Sequence, residues 1–129
     1  MRYRVTQATL VFILCLSAFD CAATEPSSVA QQEITHLLTY LERSECEFFR
    51  NGSWYSAADA KSHLNRKYAY LLKKGWAHTA EDFIRLAATK SSMSGKEYRV
   101  RCSDTPPMPS ETWLREELAR YRQRSVDAK

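Results

Sequence analysis

Cys46-Glu-Phe-Phe-Arg-Asn-Gly-Ser-Trp-Tyr55 places aromatic residues on both sides of an Asn-Gly pair. Asn51-Gly52 suits a type I′ turn, whose two central residues need the positive φ that Asn and Gly tolerate. The stretch reads as a short β-hairpin. Asn51-Gly52-Ser53 is also a glycosylation sequon, but the turn explains it without sugar. Upstream the period changes. Ile34, Leu37, Leu38 and Leu41 fall at i, i+3, i+4 and i+7, one face of a helix from about Val29 to Ser44, with Glu33, Glu42 and Arg43 on the rest.

Downstream, Ser56-Ala-Ala-Asp59 is a capping-box variant. The helix it opens should run to Lys74, stop at Gly75 and bury Ala57, Ala60, Leu64, Tyr68, Leu71 and Leu72. Thr79-Ala-Glu-Asp82 repeats the signal for a helix to about Lys90, with Phe83, Leu86 and Ala87 inward and Ile84 at the border. Ser91 to Gly95 breaks it, and Tyr98-Arg-Val-Arg-Cys102 alternates as a half-buried strand. Ser103 to Pro109 holds three prolines and reads as a loop. Ser110 should cap a last helix to about Arg124, with Leu114, Leu118 and Tyr121 inward and Trp113 on the flank; residues 125–129 read as a disordered tail. The predicted fold is one α+β domain over residues 29–124. It has four helices and a small three-stranded antiparallel sheet in the order α-β-β-α-α-β-α.

The first residues read as an address. A cationic start, an apolar run from Thr9 to Phe19 and Cys21-Ala22-Ala23 make the three parts of a secretory signal peptide over 1–23, cut between Ala23 and Thr24. The apolar run is shorter than the roughly 20 residues a membrane span needs. Residues 24–28 should form a flexible start. The mature chain then carries 17 basic and 14 acidic side chains, too balanced to mark a polyanion binder. Only Cys46 and Cys102 remain, and export places them where thiols oxidise. One pairing is possible, a Cys46–Cys102 disulfide. Closing so long a loop stabilises by about 4 kcal/mol in the chain-entropy account. With Cys46 starting the first strand and Cys102 ending the third, the bridge favours the sheet order second–first–third, with helices on one face.

Phe49-Arg-Asn-Gly52 with Tyr55, Thr79-Ala-Glu-Asp-Phe-Ile84, and Ser91-Ser92 with Ser94-Gly95 and Tyr98 form three blocks, joined by His63-Leu64, Lys67 and Trp113-Leu114. In this order they resemble the YfeK-like family, small exported bacterial proteins classed as a domain of unknown function. The likeness covers nearly all of residues 32–122. It implies a Gram-negative setting and a periplasmic or secreted chain. It implies no known activity and supplies no catalytic residues.

His63 and Lys67 lie four apart at the edge of an apolar helix face, where an imidazole and an ammonium could hold an anionic ligand. The plainer reading is that both are solvated or buttress a neighbouring loop. Ser94-Gly95-Lys-Glu-Tyr98 matches the S-G-x-x-Y motif of one family of periplasmic lysozyme inhibitors, a β-barrel whose second motif is missing here. These matches make His63, Lys67, Ser94 and Tyr98 the candidate ligand-binding residues. Ser91, Ser92 and Ser94 lack the G-x-S-x-G elbow of a nucleophile and read as a helix-ending turn. His36, His63 and His78 fall on two helices and a loop without ligand spacing, so no metal is expected. Asp59, Glu81 and Asp82 read as helix caps. Arg99 and Arg101, with Arg115, Arg120, Arg122 and Arg124, are diluted by Glu111, Glu116 and Glu117 and read as solvated faces rather than a nucleic-acid patch. The expected function is non-enzymatic binding of a protein or cell-envelope component, by a monomer with no cofactor and no membrane span. The alternatives are a small hydrolase using His63 and an inhibitor of a cell-wall lytic enzyme.

Overall fold

Asn51 and Gly52 take φ of 48° and 88°, and the hairpin they close joins β1 (Glu47–Arg50) to β2 (Ser53–Tyr55). The computed structural model describes residues 25–129. The expected signal peptide, its cut between Ala23 and Thr24, and the first residue of the flexible start lie outside the described residues. Four helices follow the expected pattern: α1 (Ser28–Arg43), α2 (Ala57–Lys74), α3 (Ala80–Ala87) and α4 (Ser110–Asp127). Ser27, Ser56 and Thr79 cap the first three, each side-chain oxygen accepting a backbone N–H from the first turn. Gly75 ends α2 at φ 67°, where its N–H donates to Leu72 O.

The sheet has four strands, not three. Its order is β2-β1-β3-β4, all pairs antiparallel, with β3 spanning Arg99–Arg101 and β4 Met108–Pro109. The second–first–third order stands, and β4 is added beyond β3. The prolines that argued for a loop are compatible with an edge strand, where a missing N–H breaks no ladder. Pro109 opposes Arg99, and Met108 opposes Val100. Pro109 also takes the capping position expected of Ser110; Ser110 is instead buried and donates its N–H to Tyr98 O.

Cys46 and Cys102 are joined, one step beyond the facing pair Glu47 and Arg101. The inner row of the sheet runs Tyr55, Phe48, Val100, Met108. It meets a core whose most enclosed side chains include Ile34, Leu37, Leu41, Phe83, Ile84 and Leu114. Ile84 and Trp113, expected at the border and flank, are buried, whereas Leu72 is 39% exposed. On the outer face the Arg101 guanidinium lies 4.0 Å from the centre of the Trp54 ring and donates to Glu47.

Two helix ends differ from expectation. α3 stops at Ala87; Ile84 O receives both the Ala88 N–H and the Thr89 hydroxyl, and Lys90 then bridges to Glu97. α4 is helical through most of the expected tail, reaching Asp127, with Gln123 donating to Asp127 one turn on. Its arginines are not simply solvated. Arg122 grips Glu33 through Nε and Nη2 at 2.7 and 3.0 Å and reaches Glu81 through Nη1 at 2.6 Å. Glu33, expected on the open side of its helix, is buried by this contact, and Arg120, Arg124 and His36 likewise enclose Glu117.

Candidate functional site

Tyr98 is held by its backbone. Its N–H donates to Thr89 O and its carbonyl accepts from Ser110, so strand entry, the turn after α3 and the start of α4 fix one residue. Its ring is buried and its hydroxyl faces α2. His63 Nε2 lies 3.0 Å from that oxygen and Lys67 Nζ 3.4 Å from it; the ammonium also stands 5.0 Å from the ring centre. The four-residue spacing on one helix face lets both reach the same phenol. Lys67 also donates to Lys90 O at 3.0 Å, a carbonyl left free where α3 has ended.

A fourth member comes from the hairpin. Arg50 Nη1 lies 3.2 Å from His63 Nδ1, and its guanidinium stands 4.7 Å from the centre of the Tyr55 ring. Sequence reasoning passed over Arg50, although the signal was there: two residues from buried Phe48 on a strand, it shares the inward face.

The donor geometry determines the imidazole's protonation. A guanidinium only donates, so Nδ1 must accept. The neutral ring then carries its hydrogen on Nε2 and donates it to Tyr98. Burial, then the charges of Arg50, Lys67 and Arg66, push the His63 pKa down to about 4. Burial and Arg50 bring Lys67 down to about 8, and burial raises Tyr98. At neutral pH the cluster thus holds a neutral imidazole, a phenol, a guanidinium and a largely protonated amine. The phenol oxygen receives two N–H donors, leaving its own hydrogen to be given away. None of the ion pairs among the described residues involves Arg50, Arg66 or Lys67. The carboxylate that lines the same hollow, Asp59, accepts from Ser56 and forms no ion pair with them.

His63 separates two hollows. On the hairpin side a cavity of about 30 Å³ lies among Arg50, Tyr55, His63, Leu64 and Tyr98, room for a water or two. On the other side a groove runs between α2 and α3.

Ser94 does not join the cluster. Its hydroxyl donates to Asn51 Oδ1 at 2.7 Å and pins the turn after α3 to the hairpin. Ser91 is buried, and its Oγ accepts from the N–H groups of Met93 and Ser94. Asp59 and Asp82 accept from the backbone N–H groups of their own helix starts or serve capping side chains, as Ser56 and His78 show. His36, His63 and His78 lie in three separate settings, and no group of three or more His, Cys, Asp or Glu able to hold a metal occurs among the described residues.

A family model matches residues 28–122, from the first residue of α1 to the last third of α4. The chain belongs to a family of unknown function, DUF5329. No curated protein and no solved structure matches it. The DUF5329 match spans every element that builds the cluster, so Arg50, His63, Lys67 and Tyr98 all lie within the family domain. The disulfide, and the lack among the described residues of a helix long and apolar enough to cross a membrane, are compatible with an exported protein.

Proposed function

We propose that this DUF5329 chain is an exported, YfeK-like binding domain of the periplasm or the secreted fraction that captures an anionic group of a protein or cell-envelope component without catalysis. The observation that supports it is the convergence of His63 and Lys67 on the Tyr98 hydroxyl, with Arg50 on the other nitrogen of the imidazole and no ion pair neutralising Arg50 or Lys67. Such a site offers N–H and O–H donors and positive charge, and a carboxylate or phosphate supplies the matching acceptors. Catalysis fits less well. A general base at His63 Nε2 needs a lone pair there, and Nε2 carries the hydrogen while Arg50 covers Nδ1. Ser91 and Ser94 are engaged elsewhere, and Ser92, which lines the groove with His63, has no base there because Nε2 carries the hydrogen.

The test is retention of periplasmic proteins and cell-wall material on immobilised mature chain, compared with an Arg50→Ala/Lys67→Ala double variant. A specific species kept by the native chain and lost by the variant is the expected result. Recovery of the same material by both, or of nothing specific by the native chain, sinks the reading. A second reading, inhibition of a cell-wall lytic enzyme, draws on the Ser94-Gly95-Lys-Glu-Tyr98 turn, where Gly95 sits at φ 70°. Undiminished lysozyme turnover with excess mature chain would exclude it.

A further inference from the structure

The groove between α2 and α3, open to solvent along one side, has a volume of about 550 Å³ and is built in two halves. At one end stand His63, Arg66, Lys67 and Ser92. Its floor is Leu71 and Leu86, and its far end is framed by Tyr70 and Trp76, each 53% exposed, with rings edge to face at 6.1 Å. Lys74 Nζ lies 5.7 Å from the Tyr70 ring centre. No acidic side chain lines it. Charge at this surface is therefore one-sided, and it adjoins apolar area that folding has left uncovered.

We propose that the groove receives a peptide segment of a partner protein in which an acidic side chain neighbours an aromatic or aliphatic one. This rests on the binding reading above and names its partner class. The carboxylate meets Lys67 and Arg66, and the neighbouring side chain covers Leu71 and Leu86 between Tyr70 and Trp76. Lys67 has one ammonium hydrogen left after Lys90 O and Tyr98. Exposed Trp, Tyr and Arg around a small apolar floor are the composition of an interface hot spot. An acyl chain needs walls that enclose most of its surface, and this groove is open along one side. A peptide can bury one side chain here and keep its backbone in water.

The experiment is an NMR titration of the mature chain with a capped peptide carrying Glu beside Phe and Leu, and with its Gln counterpart. The acidic peptide should shift the Trp76 indole N–H and the Leu71 and Leu86 methyl signals. The Gln peptide should bind about tenfold or more weakly, the worth of a charge-assisted hydrogen bond. Arg66→Glu and Lys67→Glu should each turn the preference toward a Lys-containing peptide. Arg66 is exposed, so its variant keeps the test valid if Lys67→Glu unfolds. Arg115→Gln on α4 should change nothing. No shift at these signals up to millimolar peptide, or equal binding of Glu and Gln peptides, overturns the proposal. Shifts produced instead by anionic phospholipid vesicles or by cell-wall glycan fragments overturn the peptide class while leaving the binding domain standing.

Discussion

His63 Nε2 and the Tyr98 hydroxyl, 3.0 Å apart, tie the middle of α2 to the residue that leads into β3. The contact spans 35 positions of sequence and joins the helical and sheet parts of the fold beside Arg50 and Lys67. Tyr98→Phe keeps the ring and removes the oxygen. His63 and Lys67 then each lose an acceptor, and stability should fall by about 1–2 kcal/mol. Urea unfolding measures this. An unchanged midpoint would show that the hydroxyl organises nothing.

Stability should depend on pH through the same cluster. Folded His63 titrates near 4, below the 6.5 of a free imidazole, because burial and neighbouring cations oppose its charge. Between these values the unfolded chain binds a proton that the folded one does not. The His63 contribution is therefore intact above pH 6.5, declines as pH falls toward 4, and is flat below. Unfolding midpoints of the native chain and His63→Gln should converge over that window. Parallel profiles would dismiss the depressed imidazole.

Lys67 has the same sign at higher pH. Its amine titrates near 8 when folded against 10.5 in water, so stability drops as pH falls from 10.5 to 8, and the whole penalty is present at neutrality. Lys67→Met should be the more stable protein at pH 7, by up to about 1 kcal/mol once solvent screening is allowed for. The advantage should vanish near pH 10.5. A less stable Lys67→Met at pH 7 would mean that the bonds to Lys90 and Tyr98 outweigh burial.

Arg122 holds the buried Glu33 carboxylate through two nitrogens. Arg122→Ala leaves that charge without its partner and should cost about 2–3 kcal/mol. Adding Glu33→Gln should return part of the loss, since a neutral amide is cheaper to bury. Thermal or urea unfolding of both variants decides it; a double variant no better than the single one would place the cost elsewhere.

The Cys46–Cys102 bridge should supply about 4 kcal/mol through the loop it closes. Cys102→Ser should lower the denaturant midpoint of oxidised protein and match native protein under reduction. Identical midpoints under oxidising conditions would remove the bridge from the stability account.

Much of the fold is readable because it follows from local chemistry. Ser56 with Asp59, Thr79 with Asp82, Asn51-Gly52 and Gly75 act on backbone within a few residues, so their effects need no knowledge of the rest. β4 escaped notice because Met108-Pro109 has no strand pattern of its own; pairing with Val100 and Arg99 makes it a strand. Glu33 escaped for a similar reason, since only Arg122 at 89 positions' distance makes its burial tolerable.

The candidate site divides the same way. Helical spacing alone places His63 and Lys67 on one side of α2. Arg50 joins them, and Ser94 leaves them for Asn51, only when hairpin and helix dock. Residue types and their periods determined the helices and the turn, because those depend on covalent neighbours and on solvent. The tertiary structure decided the added edge strand, the imidazole's protonation and the unpaired positive charge, because each depends on which groups from distant segments share the same low-dielectric space.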